Sequence, residues 1–194
     1  MNESSTNNTS LISLKNYEML EKRVLEHIMK TEKCLLIGTF NLQNLKIKIH
    51  NNYVSLSDIL IDLVRKGLFI AILTQPNSNK TSFVQTLNER LGRRKNFLVR
   101  NCPRLHLKTI IIDFKIAYIG SANLTGFGLG TRSIQKRNFE LGFITTDKSI
   151  IYDTSRMYLD IITGTYCNQK FCHYFKNKDS KRYCTGIQAS QGFI

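Results

Sequence analysis

Apolar residues along this chain of 194 residues fall into two rhythms. Between 11 and 31, Leu14, Tyr17, Val24, Leu25 and Ile28 recur at helical spacing among Glu and Lys, which predicts an amphipathic helix. "KCLLIGTFN" (33–41) and "GLFIAILTQ" (67–75) are instead near-continuous apolar runs of strand length, the pattern of strands covered on both faces. Leu56, Ile59, Leu60, Leu63 and Val64 form a second helical stripe, and Ser55 with Asp58 has the spacing of a capping box at its start. A third helix is predicted over about 81–91, with Phe83, Val84, Leu87 and Leu91 on one side. "GRRKN" (92–96) then turns into the strand "NFLVRNC". The order α-β-α-β-α-β predicts a layered α/β domain.

The stretch "HLKTIIIDFKIAYIGSANLTGFG" (106–128) reads as two strands joined by a tight turn near Asp113–Lys115. "RNFELGFITT" (137–146) predicts a further strand. Ile150, Ile151, Thr154, Met157, Tyr158 and Ile161 mark a last helix behind Asp147. Residues 1–10 are polar and read as a disordered tail, 11–162 as the domain, and 163–194 as a basic extension carrying three of the five cysteines. No repeat of 20–50 residues occurs, and 106–128 has no second copy.

Composition narrows the class. The formal charge of +14 and pI near 9.7 imply a surface field that attracts polyanions, either nucleic acid or an anionic membrane face. No run reaches the ~18 apolar residues of a spanning helix, so no stable membrane insertion is expected. The opening "MNESSTNNTS" has no basic n-region or apolar h-region, so a cytoplasmic protein with reduced cysteines is expected. Cys34 and Cys102 sit in strand-like settings and read as core. Cys167, Cys172, His173 and Cys184 contain enough ligands for a structural Cys3His zinc site, but their spacing is not a standard knuckle, and small buried cysteines account for them equally.

The chemistry concentrates at the ends of the 106–128 stretch. Residues two apart on a strand share a face, so His106 and Lys108 project together, as do Ser121 and Asn123 if the strand runs that far. A hairpin brings all four to one end, with Asp113 near the turn. An imidazole, a cation, a hydroxyl and an amide with no carboxylate among them suit a phosphate oxyanion.

His106-x-Lys108-x4-Asp113, followed by Gly120-Ser121-x-Asn123 and then "NFE" at 138–140, resembles the HKD signature of the phospholipase D superfamily. The order of strands and helices from about 33 to 161 is also similar to that family. The resemblance implies an α/β, phospholipase D-like layered fold: a mixed β-sheet flanked by helices, one HKD half-unit per chain. It implies that His106 attacks phosphorus to form a phosphohistidine, that Lys108 and Asn123 hold the non-bridging oxygens, and that Ser121 supports the site. Glu140 would accept a ring N–H of a His106. Asp113 belongs to the motif but would order the turn rather than touch substrate. Neither a metal nor any other cofactor is implied.

This reaction needs two histidines, one as nucleophile and one as general acid. His27, His50 and His173 lie outside any such motif, so the resemblance implies a homodimer that brings two copies of His106 together. Single-motif members of the family include bacterial non-specific nucleases of similar size. Arg132, Lys136 and Arg137 lie between the Ser/Asn segment and Glu140, where cations would steer a phosphate backbone. Phe127 could stack a base, though packing explains it better, and Arg93, Arg94 and Lys95 read as a solvated loop. The expectation is a metal-independent phosphodiesterase acting on nucleic acid, DNA in preference to RNA. The rivals are a phospholipid phosphodiesterase or phosphatidyl transferase, and a DNA-binding component of a restriction or repair system.

Overall fold

The computed structural model describes residues 11–14, 17–49, 51–76, 82–130 and 133–167. Nine strands and four helices are found there: β1 (Leu11–Leu14), α1 (Tyr17–Met29), β2 (Cys34–Thr39), β3 (Lys46–Ile49), β4 (Asn52–Ser55), α2 (Leu56–Arg65), β5 (Phe69–Thr74), α3 (Ser82–Leu91), β6 (Phe97–Asn101), β7 (Lys108–Ile112), β8 (Ile116–Gly120), β9 (Gly142–Thr145) and α4 (Lys148–Thr163). Seven strands form one mixed sheet in the order β1-β9-β8-β7-β2-β5-β6, and β3 and β4 form a separate hairpin. β2, β5 and β6 run parallel, while β7, β8, β9 and β1 are joined antiparallel.

The sheet is covered on both sides, as the apolar runs require. Leu35, Ile37, Ile70, Ile72, Ile110, Ile112, Tyr118 and Ile144 share one buried cluster with residues of α1, α2 and α3. Leu36, Ala71, Leu73, Ile111 and Ala117 face the other way, beneath Ile151, Tyr158 and Ile162 of α4. The Tyr158 hydroxyl donates to the carbonyls of Ala71 (2.7 Å) and Ile37 (3.3 Å), which ties α4 to the two central strands. Full burial pushes that phenol well above its ordinary pKa.

Caps fix the helix starts. The Ser55 hydroxyl accepts the Asp58 N–H of α2 at 3.1 Å, and the Asp147 carboxylate accepts the Ile150 N–H of α4 at 2.9 Å. Gly164, at φ 82°, ends α4 in the left-handed region.

Four sequence expectations need correction. Residues 11–14 are a strand rather than the first turn of a helix, because pairing with β9 satisfies their backbone and buries Leu14. The strand expected over 137–146 is confined to 142–145. The core face of α4 is Ile151, Ser155, Tyr158 and Ile162, leaving Ile150 and Met157 exposed, because the helix meets the sheet about one position round from the stripe read in sequence. His106, Ser121 and Asn123 lie just beyond the strands rather than on them.

Candidate active site

Hairpin β7–β8 closes through the three residues Asp113–Lys115, in a tight turn in which Asp113 and Phe114 both have positive φ (53° and 54°) and Lys115 N donates to Ile112 O at 2.9 Å. One Asp113 carboxylate oxygen accepts the N–H groups of Lys33 and Cys34 at 2.8 Å, and the other accepts that of Glu32 at 2.9 Å. The turn is thereby clamped to the start of β2. Five strand steps separate Asp113 from Lys108, roughly 16 Å at the usual rise, so the motif's carboxylate and its cation sit at opposite ends of the sheet.

The other end collects the remaining motif residues. β2, β5 and β6 finish there, β7 and β9 begin there, and β8 ends there. Lys108 pairs with Thr39 in the β2–β7 ladder. Its ammonium lies 3.2 and 3.3 Å from the two ring nitrogens of His106 and donates to the His106 carbonyl at 3.0 Å. The Phe40 ring meets the exposed His106 ring edge-on, with centroids 5.2 Å apart, and the Lys108 ammonium is 5.7 Å from the Phe40 centroid. Burial lowers the Lys108 pKa, and the opposing field of Glu140 places that carboxylate near the same ammonium.

Ser121 donates to Glu140, and Asn138 Nδ2 donates to the other Glu140 oxygen at 3.1 Å. Leu141 N donates to Ser121 Oγ at 3.1 Å, which joins the β8 exit to the β9 entry. Within one chain, then, the partners of Glu140 are Ser121 and Asn138 rather than His106. Asn123 is fixed from behind. Its side-chain oxygen accepts Asn41 N at 3.1 Å, and the buried Thr39 hydroxyl lies 3.4 Å away while accepting Leu124 N at 3.0 Å and donating to Asn41 O at 2.7 Å. That arrangement commits the Asn123 oxygen and leaves its NH2 group without a partner among the described residues. Thr39, Phe40 and Asn41 are the residues that sequence reasoning missed. Only the "GTFN" ending of an apolar run marks them, and no local rule says that this loop will meet Asn123.

Gly120 and Gly142 pair across β8 and β9 beneath the site. A Cβ on Gly120 would lie 2.7 Å from Leu141 O and 2.8 Å from Gly142 Cα, closer than real contacts allow, and the Tyr118 ring occupies the remaining space. Only glycine fits this close approach.

The basic loop is partly in view. Lys136 is exposed and Arg137 half-buried, and Asn138 N donates to Phe127 O at 3.2 Å, so the loop runs beside the "GFG" segment. Arg132 falls outside the described residues. Of the zinc candidates, Cys167 is half-buried, while Cys172, His173 and Cys184 lie outside the described residues. Cys34 is buried as expected, and Cys102 is half-buried. Among the described residues, no helix is long and apolar enough to cross a membrane.

Fold and site together define a layered α/β domain that presents one His–Lys hairpin per chain at the exit of its parallel strands. The family follows from the sequence profile: residues 24–161 match the cardiolipin synthase, PLD-like domain, and the chain belongs to that phospholipase D-like family. NucT from Helicobacter pylori superposes with a TM-score of 0.60 at 17% identity, over 80% of this chain and 95% of that one. Nuc from Salmonella typhimurium, a phospholipase D family member, gives 0.57 at 13%, over 79% and 93%. TrmBL2, an archaeal chromatin protein whose structure shows a novel mode of DNA binding, gives 0.56 at 12%, over 82% of this chain and 54% of its own. At such identities the likeness concerns the fold. No curated protein sequence matches the chain.

Proposed function

We propose that the protein is a phosphodiesterase that cleaves nucleic acid through a phosphohistidine, with an active site shared by two copies of the chain. The observation that carries this reading is the gathering of His106, Lys108, Asn123, Ser121 and Glu140 at one end of the sheet, with the Asn123 amide turned so that its NH2 is left to donate. His106 of one subunit attacks phosphorus, and the bond to the leaving oxygen breaks as the second His106 protonates it. Water, deprotonated by that second imidazole, then attacks the phosphohistidine and releases the phosphomonoester. Lys108 and Asn123 offset the charge that grows on the non-bridging oxygens, so no step calls for a metal. Asp113 holds the hairpin from its far end. The charge of +14 and the DNA binding of TrmBL2 support a nucleic-acid substrate, with Lys136 and Arg137 as phosphate-backbone contacts and Arg132 as a third from sequence alone.

Cleavage of single- and double-stranded DNA and of RNA in EDTA tests the reading. His106→Ala and Lys108→Ala should abolish turnover while thermal unfolding stays unchanged, and sedimentation should give a dimer. Wild-type turnover by a folded His106→Ala protein, or full activity from a strict monomer, would sink the mechanism. A second reading, phosphatidyl transfer, is favoured by the description of the matched family as cardiolipin synthase, PLD-like domain. Anionic phospholipid vesicles assayed alongside the nucleic acids separate the two, since the catalytic residues are shared.

A further inference from the structure

The β3–β4 hairpin is inserted between Asn41, whose N–H holds the Asn123 oxygen, and α2. It is anchored to the site on one side, where Leu42 bridges Leu124 and Gln43 N donates to Leu124 O at 3.0 Å. Lys46 follows Asn41 by five residues, so chain length holds it within about 18 Å of the Asn123 support.

The two faces of the hairpin differ. Ile47 is buried and Ile49 packs against the same core, while Val54 is half-buried opposite Ile47. The other face carries Lys46 and Lys48, both exposed, with Tyr53 paired directly across from Lys48 and 70% exposed. Among the described residues neither lysine has an ion-pair partner. None of the three side chains is buried, so packing of the core does not call for a cation or an aromatic ring at these positions. Directly opposed side chains on a two-stranded ribbon have Cβ atoms ~5 Å apart, and Lys46 and Lys48 are ~6.8 Å apart along the strand. Charge for a polyanion and a ring for a base face are the two elements by which proteins hold single-stranded nucleic acid.

We propose that this hairpin is a tracking arm for single-stranded nucleic acid, in which Lys46 and Lys48 bind backbone phosphates next to the scissile one and Tyr53 stacks on an unpaired base. The assignment rests on the nucleic-acid reading above and adds to it a strand preference and a surface. A paired base keeps both faces inside the duplex, so the Tyr53 contribution exists only for unpaired substrate. An anionic bilayer offers charge to the lysines but no base to the ring.

Fluorescence anisotropy tests this on the full chain in EDTA, with labelled oligothymidylate, a duplex of equal length, and phosphatidylglycerol vesicles as probes. The Lys46→Ala/Lys48→Ala double variant should flatten the slope of log affinity against log salt by about 1.4 on oligothymidylate, since each phosphate contact contributes ~0.7. Tyr53→Ala should weaken that complex by roughly 5- to 150-fold, the range for loss of one stacked base, with Tyr53→Phe restoring it and the duplex affected far less. The Arg94→Ala/Lys95→Ala double variant removes the same charge from the exposed turn before β6, at the opposite end of the sheet, and should leave the slope unchanged. Equal losses in the two double variants would show bulk attraction alone and overturn the proposal. So would unchanged binding by Tyr53→Ala, or vesicle binding tighter than oligothymidylate and lost with the same lysines. Hydrolysis of bis-p-nitrophenyl phosphate by the wild-type protein reports separately on the catalytic reading. Hydrolysis without hairpin-dependent oligonucleotide binding removes only the arm, and hairpin-dependent binding without any hydrolysis removes only the chemistry.

Discussion

Replacing Asp113 separates a residue that holds the motif in shape from the residues proposed to touch phosphorus. Its carboxylate accepts three backbone N–H groups, those of Glu32, Lys33 and Cys34. A hydrogen bond to a charged group contributes ~1.5–3 kcal/mol when desolvated. Two of the three reach solvent-exposed segments where water can substitute, so about 2 kcal/mol is the reasonable sum for Asp113→Ala. Alanine at φ 53° adds about 1 kcal/mol, because Asp tolerates the left-handed region better than Ala does. A loss of about 3 kcal/mol lowers Tm by roughly 6–12 °C in a chain of this size. Asp113→Asn keeps the backbone preference and one acceptor oxygen, but turns an NH2 toward a backbone donor, so about half of that loss is expected.

A second readout comes from Cys34. Burial, together with the nearby Asp113 charge, pushes its thiol up to about 12, so the native protein should resist alkylation at pH 8. Both Asp113 variants should label faster, because the clamp beside Cys34 is weakened in Asp113→Asn and gone in Asp113→Ala. Well below Tm, kcat of either folded variant should stay within about threefold of wild type, since the carboxylate lies roughly 16 Å of strand from Lys108. An unchanged Tm combined with a hundredfold fall in kcat would refute this reasoning and place Asp113 in the chemistry.

Partial burial lowers the Lys108 pKa, so NMR titration of its ε-methylene should show the ammonium, charged below its midpoint and neutral above, losing its proton below the ordinary value of 10.5; a midpoint at or above that value contradicts the half-buried placement. Thr39→Val leaves the buried Leu124 N without its acceptor and removes the donor to Asn41 O, a loss of ~1–3 kcal/mol, and should lower kcat more than it raises KM. Recovery of kcat in Thr39→Ser would identify the hydroxyl as the cause, and a normal kcat in Thr39→Val would remove Thr39 as a support for Asn123. Gly120→Ala drives a methyl into Leu141 O and Gly142, so calorimetry should show at least the ~1–3 kcal/mol of an overpacked core; an unchanged Tm would mean that the β8–β9 approach is looser than described.

The sequence by itself determined most of the helices and central strands and the list of candidate reactive groups. Continuous apolar runs became β2 and β5 because both faces of those strands are covered, and Ser55 and Asp147 cap the helices they were expected to cap. The spacing of His106, Lys108, Ser121, Asn123 and Glu140 is enough to indicate the family and to mark a candidate site. Tertiary structure decided everything that depends on which segments meet. Leu11–Leu14 is a strand only because β9 offers it a ladder. The β3–β4 hairpin forms from a short stretch whose alternation is too brief to stand out, and it is fixed by burying Ile47 against a core assembled from distant segments. The strand alternation invoked to converge Ser121 and Asn123 with His106 does not operate, since all three lie past the strand ends. They meet because β2, β7, β8 and β9 reverse at the same end of the sheet, which lets Thr39 and Asn41 turn Asn123 and sets Glu140 against Ser121. Side-chain periodicity is encoded within a few residues, whereas these contacts span 19 to 85 positions and exist only once the sheet has closed.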